Sequence, residues 1–345
     1  MEFVRVPHLE TYGYGSMAAN LIRSMRRRGV EMSWVREGGP SVPATALFMQ
    51  LPATARGAWA GQRRVLLTMF ETSELPHEFV EPLGRYDTVL VPCEANRRTF
   101  ARHHPDVRTI PLGVDPERWH FTERPPADPF TFLTVGARWW HRKGLDLVLD
   151  AFQALRDELV SAGEPRPRLM LHPGAPDAAG TLRERSRDDP DVVWLNGKLT
   201  PAAEVQLSEM AHCYVSGSRG EGWGLCPHQA IAQGCPTILA DAAGQHEFAR
   251  YGTPIGWHQI AATEYGDWRE LGHWWEPDAD ELLAAMRLVY TSYDQAQVRA
   301  AVGATEISGL TWDNAAARLL EELGDLGEIP AGEWRAFPEI STGRS

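Results

Sequence analysis

Residues 213–240 constrain the fold of this chain more than any other stretch. They read CYVSGSRGEGWGLCPHQAIAQGCPTILA. A short apolar strand, Cys213 to Val215, runs into a turn crowded with glycine. Pro227 follows, then an apolar-periodic helical run through Ala230, Ile231 and Ala232, then a second strand, Thr237 to Ala240. Strand, glycine turn, helix and strand in that order belong to a parallel α/β sheet. The turn also opens a helix N-terminus, where bare backbone N–H groups meet an anion. Two polar side chains flank it, Glu221 in the turn and Gln229 eight residues on. If the run between them were helical at ~1.5 Å per residue, they would lie about 12 Å apart. That span suits a ligand with a diphosphate between two sugar rings.

The same alternation runs through the whole chain. In the first half, strands are expected at Glu2–Val6, Ala46–Leu51, Arg64–Phe70 and Thr88–Val91, with a glycine turn at Gly13 and Gly15. The helix after that turn has Ala18, Ile22 and Met25 on one face. Prolines 111, 116, 125, 126 and 129 mark a break. The second half restarts with the strand Phe130–Val135 and a helix striped by Leu145, Val148, Leu149, Phe152, Leu155 and Leu159. Strands recur at Leu169–Leu171, Val192–Leu195, Cys213–Val215 and Thr237–Ala240. Residues 252–277 are rich in tryptophan and read as irregular; helices follow near 279–292 and 313–324. The pattern predicts a first domain over 1–120, a linker at 121–129, a second domain over 130–311, a helix at 312–326 and a tail at 327–345. Two doubly wound domains joined by one linker create a cleft, and ligands of such sheets bind at the carboxyl ends of the strands.

Composition narrows the class. The chain has 345 residues, 43% hydrophobic and 23% charged, with a net charge of −12. That balance argues against non-specific nucleic-acid binding. Residues 1–120 carry 15 Lys and Arg against 13 Asp and Glu, a net of +2, and the rest carry 19 against 33, a net of −14. The cluster Arg23, Arg26, Arg27 and Arg28 reads as the solvated, C-terminal end of one helix. No apolar run approaches the length needed to span a bilayer, and the first residues lack a signal-peptide pattern. Cys93, Cys213, Cys226 and Cys235 show no paired spacing, so a reduced, cytoplasmic protein without structural zinc is expected. Only two of the 34 basic residues are lysines, Lys143 and Lys198.

Lys143 lies in GARWWHRKG, between the strand ending at Val135 and the helix beginning near Leu145. Arg138 and Lys143 flank that turn after Gly136, so both cations can reach a diphosphate above the strand end. Arg142 reads as plain surface. In the opening motif, Glu221 is suited to sugar hydroxyls, the amides of Gly224, Leu225 and Cys226 to the diphosphate, and Gln229 to a ribose. Gly222 and Trp223 complete that turn. Glu71, in TMFETSELPH, lies just past a strand end and is a candidate for binding donor sugar or acceptor; the alternative is a helix-cap role for Glu71, Thr72 and Ser73. His77 is a weaker candidate of the same stretch. Asp189-Pro190-Asp191 mimics a metal motif but sits in an acidic stretch and reads as a solvated loop. No metal ligand set is assigned.

These motifs together resemble the retaining GT-B glycosyltransferases of family 4. EGWGLCPHQAIAQGCPTI is similar to that family's E-x7-E segment, GARWWHRKGLDLVLDAF to its strand–R…RKG–helix element, IPLGVD (Ile110–Asp115) to the segment before its interdomain linker, and YGYGSMAANL to the glycine turn of its first domain. The resemblance covers about residues 10–325. It implies two Rossmann-like domains with a C-terminal helix returning to the first. It also implies a nucleotide-sugar donor, such as a UDP- or GDP-sugar, on the second domain, an acceptor on the first, and retaining transfer without metal or cofactor. Arg138 and Lys143 would take the diphosphate positions and Glu221 the first-glutamate position. Gly197-Lys198-Leu199 would pack the nucleobase. This chain departs from the pattern at Gln229, where the family has its second glutamate. The acceptor stays open among saccharide, protein, lipid head group and nucleobase. Epimerisation or phosphorolysis on the same fold, or binding of a sugar nucleotide without turnover, are the rival readings.

Overall fold

The computed structural model describes residues 2–4, 13–30, 33–35, 45–52, 63–136, 139–174, 180–197, 199–263 and 265–323. The chain divides into two compact units. One comprises Met1–Met69, Leu75–Leu112 and Trp312–Ser345; the other comprises Phe70–Glu74 and Gly113–Thr311.

The first unit holds β1 (Glu2–Val4), α1 (Tyr14–Arg27), β2 (Ser33–Val35), β3 (Ala46–Met49), β4 (Arg64–Leu67), α2 (His77–Leu83), β5 (Thr88–Val91), α3 (Glu94–Phe100) and β6 (Val107–Thr109). The strands form one sheet in the order β2-β1-β3-β4-β5-β6, parallel throughout. Parallel strands bury both faces, and Val65, Leu66, Leu67, Val89, Leu90 and Val91 are all without exposure. The stripe of α1, from Met17 through Leu21 to Met25, is buried as its period demands.

The second unit holds β7 (Thr131–Val135), α4 (Leu145–Ser161), β8 (Arg168–His172), α5 (Gly180–Arg185), β9 (Val192–Trp194), α6 (Pro201–Glu209), β10 (Cys213–Val215), α7 (Leu225–Ala232), β11 (Thr237–Ala240) and β12 (Thr253–Ile255). Its sheet runs β12-β11-β10-β7-β8-β9, again parallel throughout. All six stripe residues expected of α4 are buried.

Three features differ from expectation. Residues 121–129, expected as a linker, and residues 113–120, expected in the first domain, group with the second unit. Buried Arg124 ties this segment down by donating to the Gln233 carbonyl at 2.6 Å and the Thr122 carbonyl at 2.8 Å. The stretch 252–277 is not irregular. β12 adds an edge strand that tolerates Pro254, and β13 (Trp257–Ala261) pairs antiparallel with β14 (His273–Pro277). Their half-exposed faces blur the alternation by which strands are recognised. After α8 (Ala279–Thr291) comes α9 (Tyr293–Glu306), which the sequence reading does not foresee. It buries mainly small residues, Ala296, Ala300 and Gly303, so its apolar stripe is faint.

The last helix, α10 (Trp312–Leu323), returns to the first unit and lies against α1. Asp313 accepts from Arg27 at 2.9 Å and its carbonyl from Arg28 at 2.9 Å, while Glu322 pairs with Arg108 at 2.8 Å. Two members of the arginine cluster on α1 therefore hold α10.

Candidate active site

β7 and β10 are neighbours in the second sheet, so the turns beyond their carboxyl ends meet. Two glycines set how closely. A Cβ on Gly144 would stand 1.7 Å from the Gly217 carbonyl oxygen, and one on Gly217 2.4 Å from the Gly144 carbonyl oxygen. Gly144 also takes φ +60°, which favours glycine. Once the backbones touch, Arg142 bridges them. Its carbonyl accepts the Arg219 N–H at 2.8 Å, and its guanidinium donates to the Gly220 carbonyl.

This contact places Lys143 Nζ 2.5 Å from Glu221 Oε1, and Arg142 3.7 Å from Oε2. The Glu221 side chain is only 10% exposed. Burial pushes its carboxyl up, but the charges of Lys143 and Arg142 together outweigh burial and hold it below the usual carboxylate range. Glu221 is thus an ionised carboxylate kept in a largely dry place by two cations.

Behind the pair, buried Arg219 fastens the loop. It meets both oxygens of Asp146 at 2.8 and 2.7 Å and Glu276 at 2.5 Å, and it donates to the His141 carbonyl. The bidentate fork couples the loop after β10 to α4 and β14 at once. Glu71 reaches the same region. Tyr265 donates its hydroxyl to Glu71 Oε2, and the Tyr265 ring lies 5.4 Å from the Arg142 guanidinium.

The other expected residues distribute as follows. Arg138 and Lys198 lie outside the described residues. Gly136 follows β7 and donates to the His172 carbonyl at 2.9 Å. Gly224 caps α7 without a side-chain bond, so the first amides of that helix, at Leu225 and Cys226, have no side-chain cap. Glu221 precedes the helix instead of lying on it, so the 12 Å helical span to half-buried Gln229 does not apply. Gly222 and Trp223 are buried, and Trp223 Nε1 donates to His228 Nδ1 at 2.9 Å. Burial pushes the Cys226 thiol up to about 11, so it stays protonated. In the first unit, Gly13 caps α1 at φ +88°, Gly15 is buried in its first turn, and His77 is exposed at the start of α2.

Three expectations fail. Arg142 is buried, not plain surface. The capping alternative for Glu71, Thr72 and Ser73 is not realised, since α2 is capped at Pro76 without a side-chain bond. Thr72 instead bonds the Glu74 carbonyl at 2.7 Å, and Ser73 Oγ accepts from the His273 N–H at 2.9 Å. Asp189 is not solvated, because it is held by Arg156 and by Gln153 at 3.2 Å, while Asp191 pairs with Arg166 at 3.0 Å. Sequence reasoning also passed over Arg219 and Tyr265. A lone charge among glycines, and a tyrosine within a tryptophan-rich stretch, were the available signals.

With fold and site in place, comparison with known proteins assigns the class. The model of a family described as family 4 glycosyltransferases in conflict systems matches residues 90–319, and the chain belongs to that family. It is a glycosyltransferase. No curated protein sequence is significantly similar to it. Among solved structures, a UDP-forming α,α-trehalose-phosphate synthase from Burkholderia xenovorans superposes with a TM-score of 0.60 at 14% identity, covering 94% of this chain and 81% of its own. Sucrose-phosphate synthase from Thermosynechococcus elongatus gives 0.62 at 14%, covering 92% and 96%. WaaG, a glycosyltransferase involved in lipopolysaccharide biosynthesis, gives 0.64 at 14%, covering 94% and 99%. At such identities the likeness establishes the fold, which is GT-B. No helix among the described residues is long and apolar enough to cross a membrane.

Proposed function

We propose that this glycosyltransferase moves a hexose from a nucleotide-sugar donor, such as a UDP- or GDP-sugar, to an acceptor hydroxyl or amine with retention and without a metal. The observation that carries the reading is the largely buried Lys143–Glu221 pair, 2.5 Å apart, at the carboxyl ends of β7 and β10. Sugar transfer breaks the bond between the anomeric carbon and the diphosphate, and negative charge builds on the leaving group. Lys143 has three donors. It keeps one on Glu221 and turns the others to the diphosphate, whose remaining charge meets the amides of Gly224, Leu225 and Cys226. Arg138 adds a second cation, and Gly136, Gly222 and Trp223 shape the turns around the donor. Glu221 orients the sugar through its hydroxyls. Gln229 bonds the ribose, and the Gly197–Leu199 turn with Lys198 packs the base. The leaving phosphate oxygen takes the acceptor proton. Arg142, being buried, fixes Glu221 and leaves the diphosphate to Lys143.

The acceptor is a soluble or macromolecular one, met by the first unit, where His77 lies, and Gly13 and Gly15 are donor-binding residues. The four cysteines are free and three are buried, which supports a reducing compartment such as the cytoplasm. The test is release of nucleoside diphosphate from a panel of UDP-, GDP-, ADP- and TDP-sugars. Sustained release by the native protein, reduced by about 100-fold or more in Lys143→Ala, is expected. Binding of a sugar nucleotide with no release would favour a protein that holds its ligand without turnover.

A further inference from the structure

The segment Phe70–Glu74 belongs to the second unit, and its position is tightly specified. A Cβ on Gly220 would stand 2.2 Å from the Glu71 carbonyl oxygen, so a glycine next to Glu221 is what admits this strap. The Ser73 N–H donates to the His273 carbonyl at 3.1 Å, the Glu74 N–H donates to the Leu271 carbonyl at 3.1 Å, and Ser73 Oγ accepts from the His273 N–H at 2.9 Å. These bonds set the register that carries Glu71 to the loop bearing Glu221. Tyr265, 6% exposed, then donates its hydroxyl to Glu71 Oε2. Its ring is braced by Phe70 and Trp139, each 5.2 Å away between centroids, and by Trp268 at 5.4 Å. Arg142 lies over that ring, and its charge acts on both Glu71 and Glu221. Among the described residues, the buried Nε of Arg142 has no hydrogen-bond partner.

We propose that Glu71 is a second sugar-facing carboxylate beside Glu221, that Tyr265 is its positioning residue, and that the two carboxylates select a donor carrying an uncharged sugar over one carrying a uronic acid. The inference rests on the reading of this site as a nucleotide-sugar site. A purely structural Glu71 would be buried on the Arg142 guanidinium. Instead Glu71 is half-exposed and its hydrogen bond comes from a neutral phenol, which commits one oxygen and leaves the other to a ligand hydroxyl. The charges of the site decide the selectivity. Arg142 is buried beside Glu221 and its charge acts on both carboxylates, and Lys143 is given to the diphosphate. With Arg138 also given to the diphosphate, a third carboxylate, on C6 of the sugar, would enter a site with two like charges and no further cation among the described residues.

The test uses the full chain and the nucleotide that supports turnover, with the hexose and the matching hexuronate as donors. For a uridine enzyme these are UDP-glucose and UDP-glucuronate. Preference is read as the ratio of kcat/KM, or of inhibition constants where the uronate turns over too slowly. The native protein should favour the neutral sugar by about 100-fold or more. Glu71→Gln should shrink that preference by about tenfold and lower kcat/KM for the neutral donor. Tyr265→Phe keeps the ring under Arg142 and loses only the hydroxyl. It should reproduce the Glu71→Gln effect with an unchanged melting temperature, and add nothing in a Glu71→Gln background. A preferred uronate donor, a preference unmoved by Glu71→Gln, or additive effects of the two substitutions would overturn the inference and leave the donor site standing. A native protein that neither binds nor turns over any sugar nucleotide would sink both.

Discussion

Replacing Lys143 by methionine tests the electrostatics of the site without reference to any substrate. The substitution removes one charge and keeps most of the side-chain volume. In the native structure Glu221 is held by Lys143 at 2.5 Å and Arg142 at 3.7 Å, with the Lys143 and Glu221 side chains 18% and 10% exposed. At an effective dielectric of about 20, those separations correspond to about 7 and about 4 kcal/mol of gross attraction. Lys143 thus supplies the larger share but not all of it. Removing one partner of a buried pair costs about 3–5 kcal/mol, because the other charge is stranded. Since Arg142 remains, the low end applies, about 3 kcal/mol. For a unit of roughly 200 residues each kcal/mol shifts the midpoint by about 2–4 °C, so the second unit should melt ~6–12 °C lower at pH 7. The sign with pH follows from the depressed carboxyl of Glu221. Its contribution is present above the ordinary carboxylate value and is lost as pH falls through the folded value. Without Lys143 the burial effect gains weight and the folded value rises. The deficit of the variant is therefore largest near neutrality and narrows toward pH ~4. Calorimetric melts at the two pH values read this directly. Adding Glu221→Gln removes the stranded charge and should recover at least about half of the loss. A Lys143→Met protein melting with the native one at pH 7, or a double variant less stable than the single one, would refute the reasoning.

Two further tests concern the frame around the site. Gly144→Ala puts a Cβ 1.7 Å from the Gly217 carbonyl oxygen at φ +60°, and should cost more than about 3 kcal/mol in urea unfolding. An unchanged midpoint would mean the two turns are not in contact. Burial pushes the His228 imidazole down to about 3. A histidine depressed on folding takes its proton only in the unfolded chain between that value and its ordinary one, so stability falls by about 1.4 kcal/mol per pH unit across the window. His228→Gln keeps an acceptor for Trp223 Nε1 and removes the titration. Its acid loss between pH 6.5 and 4.5 should be ~2–3 kcal/mol smaller than that of the native protein, and equal losses would contradict the assignment.

Much of the fold was legible because buried parallel strands leave an unambiguous local trace. Thr88–Val91, Cys213–Val215 and Thr237–Ala240 appear as strands with the bounds expected, since a short apolar run between turn residues has few other uses in an α/β chain. The stripe of α4 was equally plain. β13, β14 and α9 were not, because half-exposed hairpin strands and a helix that buries small residues lack a strong period. Within the site, Glu221 stood out because glycine crowding around a carboxylate is rare on an ordinary surface. Arg142 and Lys143 are adjacent and locally equivalent, yet the fold buries one as a brace and sets the other on Glu221.

The sequence by itself determined the alternating α/β pattern, the glycine turns at the strand ends, and the family those motifs mark, because each depends on local period and local backbone freedom. Only the tertiary structure decided which charges meet. Lys143 and Glu221 are 78 residues apart, and Glu71 and Tyr265 are 194 apart. Their pairing follows from β7 lying beside β10, from Gly144 and Gly217 admitting backbone contact, and from Gly220 admitting the strap that carries Glu71. Periodicity records which face of an element is buried. It does not record which distant loop will supply the partner of a charge, and the function of this site rests on that choice.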